Sequence, residues 1–199
     1  MKTVLRKALS IFLVVVLLFI FNCFANATIQ YDFVLITPVI QAQSNWCWAA
    51  SAVMAGVVDY PSSTRTQQNV VRHTVGSIFN PYPNVQGTLQ NSEDGTEYVT
   101  HNHHNYTAVN TVLGFSSIAS YLHNGHAVQA GTGTYQNGVR TSGHMVVIYG
   151  AQFIDNSSGS YFYIDYVDPW DGTSHHCLFS SFCNGTYNAH IYDQTVYHF

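Results

Sequence analysis

The sequence predicts an α+β fold, in which one buried helix early in the chain packs against a later antiparallel sheet. Three observations carry that reading. Residues 47–58 are rich in helix formers and apolar nearly all the way round, the composition of a helix enclosed in a core. From residue 127 onward, short apolar and aromatic runs follow one another, separated by turn residues. At 199 residues and 47% hydrophobic content, the chain has the size of one domain and enough apolar matter for a core.

Each element follows from local chemistry. Residues 31–36 read as a short extended segment ending before Pro38. In the 47–58 helix, Ala49, Ala50, Ala52, Met54 and Ala55 are strong formers, and Pro61 stands just past its end. Thr66 is placed to cap a short helix through Val75. From 76 to 106 the chain is rich in Asn, Gly, Pro and Thr, which predicts loops around a site. A second helix spans 115–122 and stops at Asn124-Gly125. Strands are expected over 127–130, 144–153 and 161–167, the last two joined by a turn at 155–159, with a final strand over 187–197. Helix first and sheet after gives α+β. No repeat or Pro-rich linker divides residues 28–199, which read as a single domain.

The first 27 residues read as a secretory signal peptide. Lys2, Arg6 and Lys7 precede the apolar run 11–21, and Ala25-Asn26-Ala27 offers small residues at a cleavage site. The run is shorter than the ~20 residues of a bilayer span, so no stable membrane anchor is expected after cleavage. The expected location is secreted or periplasmic. Charged residues are only 8% of the chain, and the formal charge is −4. Without residues 1–27, three arginines face ten acids, a formal charge of −7. That excludes a basic nucleic-acid binder or a polybasic membrane-surface protein. Cys47, Cys177 and Cys183 then remain; in an oxidising compartment Cys177 and Cys183 are expected to form a disulfide, leaving Cys47 over.

Cys47 stands where a nucleophile is built. A cysteine in the first turn of a buried helix faces the positive end of the helix dipole, which favours the thiolate. Gln41, six residues upstream, could join the Cys47 backbone N–H as a donor to a developing oxyanion, with Gln43 a rival on proximity alone. Two histidines follow glycines: His144 opens a buried strand, and His126 a shorter one, where capping or solvation is the blander role. His144 is the better base. Asp168, at the far end of the 161–167 strand, returns to His144 if the two strands form a hairpin, and so would orient the imidazole. Trp170 could shield that pair from water, and Asp171 suits turn duty. Adjacent histidines at 101, 103 and 104, and at 175 and 176, read as solvated residues, so neither a metal nor a cofactor is expected.

Gln41, Cys47-Trp48-Ala49, Gly143-His144 and Asp168-Pro169-Trp170 resemble the papain-like (clan CA) cysteine peptidases. The wording Asn45-Trp46-Cys47-Trp48-Ala49-Ala50, with Asp168 in place of papain's asparagine, is similar to small bacterial members such as the bacteriocin-leader peptidases. The resemblance implies a papain-like fold with Cys47 as nucleophile, His144 as general acid/base, Asp168 as orienter and Gln41 as oxyanion donor. It implies a protein or peptide substrate cleaved through an acyl-enzyme, with amidase or transglutaminase-like chemistry and an inactive binding module as alternatives. The chain departs from papain in lacking Cys-Gly-Ser-Cys-Trp. His144 also follows Cys47 by only 97 residues, against about 130–150 in papain itself, so the substrate-side region is trimmed.

Overall fold

The computed structural model describes residues 27–76, 82–187 and 189–198. The predicted leader, with Cys23, lies outside the described residues except for Ala27. Seven antiparallel strands form one sheet: β1 (Thr28–Phe33), β2 (Tyr106–Val109), β3 (Val128–Gln136), β4 (Val139–Asn156), β5 (Gly159–Asp168), β6 (Thr173–Leu178) and β7 (Ile191–His198). Their order is β2-β7-β3-β4-β5-β6, and β1 adds to β4. Among the described residues five helices accompany them: α1 (Cys47–Asp59), α2 (Gln67–Val75), α3 (Leu89–Val99), α4 (Phe115–His123) and α5 (Phe179–Asn184).

The 18-residue β4 organises the sheet. Its first half pairs with β3 and its second half with β1 and β5. Asn137 and Gly138, both at positive φ, make the tight β3–β4 turn, the backbone that a two-residue hairpin demands. The expected hairpin of β4 and β5 is present, with Val147 opposite Val167. His144 and Asp168 therefore sit near one end of the pair.

α1 is the buried helix the sequence predicted, with nine buried residues from Trp48 to Gly56. It separates two apolar clusters. On one side Met54 and Ala55 join α4 and the sheet, through Ile118, Leu122, Val146, Ile148, Ile164 and Tyr166. On the other, Trp48, Ala49, Ala52 and Val53 meet Val70 and Val71 of α2 and Val99 of α3. α2 starts at Thr66, whose hydroxyl accepts from the Asn69 N–H.

Several expectations are corrected. The 76–106 stretch contains α3, where only loops were expected. Thr88 and Asn91 close a capping box at its start, and the buried face is Ser92, Gly95, Thr96 and Val99. That face has helical spacing but small and polar members, so it carries little hydrophobic signal. The packing explains the small residues: a Cβ on Gly56 would lie 2.5 Å from Val99, and one on Gly95 2.7 Å from Val70. β3 runs on past Ala130 through Gly131 and Gly133, paired with β4 and β7, and glycines stand there because Gln194 and Arg140 occupy the space of a side chain. β6 and α5 were not foreseen, and the last strand begins at Ile191 instead of residue 187. Cys177 and Cys183 are free thiols instead of a disulfide. Both sit in apolar surroundings at the edge of the core, and burial pushes each thiol up to about 11.

Candidate active site

Cys47 is the first residue of α1, and Trp46, at the cap position, gives no side-chain hydrogen bond to the helix end. The first-turn N–H groups are thus not taken by a capping side chain. Trp46 and Trp48 are buried on either side of the half-buried Cys47. Their indoles donate to the carbonyls of Pro83 (3.1 Å) and Val85 (3.2 Å). Asn84 reinforces this clamp by bonding to Asn45 and Ser44. The 82–88 segment is thereby laid along the flank of Cys47, and Gly87 touches the Trp48 indole so closely that a Cβ would lie 2.3 Å from it.

His144 projects from β4 toward the helix end. Its Nε2 lies 2.7 Å from Asp168 Oδ1, with both side chains mostly buried. It lines the same cleft as Cys47. Burial disfavours the imidazolium, but Asp168 and Cys47 outweigh it and raise His144 to about 9. Asp168 is held below its ordinary value: burial opposes this, while the bond to His144, its charge, and the Trp170 backbone N–H (2.8 Å) prevail. Trp170 therefore contributes its backbone; the residue is 63% exposed and does not seal the pair as expected. Asp171 takes the turn duty, accepting from the Thr173 N–H and hydroxyl.

Ser51, one helical turn after Cys47, donates to the Met145 carbonyl at 3.1 Å and ties α1 to β4. Nothing in a sequence pattern marks a buried serine for that duty. A cleft of about 350 Å³ opens over Cys47, His144 and Asp168, bounded by Trp48, Gly87, Trp170 and His190 among others. His190, 6.2 Å from His144 between ring centroids, is lowered by burial and then by the His144 charge.

Gln41 is not among the residues that line this cleft. Its side-chain nitrogen donates to the carbonyls of Gln43 (3.0 Å) and Ser44 (2.9 Å), shaping the turn before the helix. Its backbone N–H donates to Pro169 at 2.7 Å and so links the turn to the loop after Asp168. His126 is excluded as partner of Cys47, because it pairs with Asp59 at the other end of α1. Thirteen residues of helix put that end about 18 Å away. The group able to hold a metal ion among the described residues, Asp59, His104 and His198, is also there and not in the cleft.

A helix-borne cysteine facing a strand-borne histidine and aspartate can carry out nucleophilic acyl transfer. No curated protein matches the chain. The sequence model of the Peptidase_C39 like family matches residues 33–195, from the end of β1 into β7. The match takes in the helix, both hairpin strands and the cleft between them, and the chain belongs to the Peptidase_C39-like family of papain-like cysteine peptidases.

Proposed function

We propose that the protein is an exported peptidase that hydrolyses peptide bonds through Cys47, His144 and Asp168. The observation that carries this reading is the position of His144, bound by Asp168 at 2.7 Å and lining one cleft with Cys47. With Nε2 committed to the carboxylate, Nδ1 is the nitrogen that serves the sulfur.

The Cys47 thiolate attacks the substrate carbonyl carbon, and the carbonyl electron pair moves to oxygen. The Cys47 backbone N–H, free at the helix start, donates to that oxyanion. Gln41 supplies the second donor by turning one amide hydrogen away from the carbonyl of Gln43 or Ser44. As the tetrahedral adduct collapses, the imidazolium of His144 protonates the departing amine, and a thioester remains on Cys47. Neutral His144 then takes a proton from water, and hydroxide attacks the thioester. The acid departs and the thiolate–imidazolium pair is restored. Asp168 stays ionised throughout, holding the ring and stabilising its charge. Residues 1–27 serve as the export signal.

An epoxide inhibitor followed by mass spectrometry tests the nucleophile. Modification is expected at Cys47, and folded protein that is not labelled there would overturn the assignment. Cys47→Ala and His144→Ala should each abolish cleavage of a denatured protein, and activity surviving either change refutes the mechanism. Export is tested by N-terminal sequencing of protein recovered outside the cytoplasm, expected to begin at Thr28.

A further inference from the structure

The chain has 11 histidines, and the cleft accounts for two. Three others gather with Asp59 at the end of α1 remote from Cys47. They come from separate segments: His104 from the loop before β2, His126 from the approach to β3, and His198 from the end of β7. One ligand atom each from Asp59, His104 and His198 lies within 4.8 Å of the others. His104 Nδ1 and His198 Nε2 are 3.0 Å apart.

The surrounding hydrogen bonds prepare these atoms for a cation. His198 Nδ1 donates to the Asn105 carbonyl at 2.7 Å, so its proton is placed there and the Nε2 lone pair faces the cluster. The Asp59 side chain is 1% exposed. Its Oδ2 accepts from the Tyr106 hydroxyl, and its Oδ1 lies 3.0 Å from His126 Nδ1. One imidazole with its far nitrogen bonded, that of His198, beside a carboxylate steered by its own partners, fits the supporting pattern of metal sites, and a metal would displace the proton that now links His104 Nδ1 to His198 Nε2.

We propose that Asp59, His104 and His198 bind a divalent transition metal, zinc in the first instance. Two imidazoles and a carboxylate suit Zn²⁺, which takes nitrogen and oxygen ligands at about 2.0–2.2 Å in a tetrahedron completed by water. Ligand atoms then stand about 3.3 Å apart. The two histidines already do so within a few tenths of an ångström, and the carboxylate closes by a side-chain adjustment of about 1–2 Å. Tyr106, His126 and the Asn105 carbonyl form the supporting layer. The ion is structural: it clamps the tail of the nucleophile helix to β7 and to the 100–105 loop.

The test uses tag-free Cys47→Ser protein, so that the nucleophile cannot capture the metal itself. After removal of metal with a chelator, ZnCl₂ alone is added. One zinc per chain should remain after gel filtration, the melting temperature should rise with zinc concentration, and Co²⁺ should give the visible bands of a tetrahedral site. His104→Ala and His198→Ala should each weaken binding at least tenfold. Tyr106→Phe should weaken it about 10-fold through the support of Asp59. His101→Ala and His103→Ala, adjacent in sequence but outside the cluster, should leave it unchanged. Folded protein that retains no zinc, or His104→Ala protein that binds as well as its parent, would overturn the proposal. Should alanine at 104 prevent folding, the isosteric Asp59→Asn is titrated instead, and undiminished binding there has the same force.

Discussion

The Ser51 hydroxyl donates to the Met145 carbonyl at 3.1 Å, joining the helix that starts at Cys47 to the strand residue after His144. Ser51 lies one turn beyond Cys47 and is fully buried. It therefore fixes both the height and the rotation of α1 against β4, and with them the gap between sulfur and imidazole. Ser51→Ala should destabilise the fold by about 1 kcal/mol, the net worth of one neutral hydrogen bond. It should also lower kcat/KM by between about tenfold and a hundredfold, because small displacements of reacting groups are costly. Chemical denaturation and steady-state kinetics check the two effects, and unchanged kinetics would show that packing alone sets the gap.

Asp168→Asn removes the charge that supports the His144 imidazolium. In the parent enzyme the alkaline limb of kcat/KM should fall with an apparent pKa near 9, as His144 loses its proton. In the variant that limb should move toward neutrality, and kcat should fall by about 10²-fold or more. The linked stability has a definite sign. A histidine raised in the folded state contributes fully below its ordinary value of about 6.5, and that contribution is lost as pH rises through about 9. The difference in melting temperature between parent and variant should shrink across that window.

Gly87→Ala should disturb the nucleophile's flank. The added Cβ would stand 2.3–2.6 Å from three atoms of the Trp48 indole, which is buried and held by its bond to Val85. Overpacking of this kind costs about 1–3 kcal/mol. Movement of Trp48 should also slow alkylation of Cys47, read by a timed iodoacetamide reaction.

Cys177 and Cys183 should resist that reagent. With each raised by burial to about 11, roughly one molecule in a thousand carries either thiolate at pH 8. Peptide mapping after brief alkylation should find the label on Cys47 at least tenfold ahead of both. Reductant should leave the melting temperature unchanged, whereas a drop would reveal a disulfide in the isolated protein.

The elements with a strong one-dimensional signal were legible. α1 announced itself through alanines and an all-round apolar surface, α2 through Thr66, and β4 and β5 through apolar runs bracketing a turn. α3 did not, because its buried face is Ser92, Gly95, Thr96 and Val99, mostly small residues where α3 packs closely against α1 and α2. β3 was cut short at its glycines for the same reason. In both places the partner surface dictates the residue, and a single sequence contains no record of that partner.

The order and type of the main elements, and the three short stretches around Cys47, His144 and Asp168, were determined by the sequence itself, since helix dipole, strand periodicity and turn chemistry are local. The sequence already favoured His144 over His126, and the tertiary structure shows the two, which follow glycines in the same way, paired to aspartates at opposite ends of one helix. The tertiary structure alone committed the Gln41 side chain to the carbonyls of Gln43 and Ser44, gave Ser51 its tether, and gathered His104 and His198 around Asp59. Those outcomes depend on which segments the sheet register brings together, and residues 94 positions apart acquire a common chemistry only once the chain is folded.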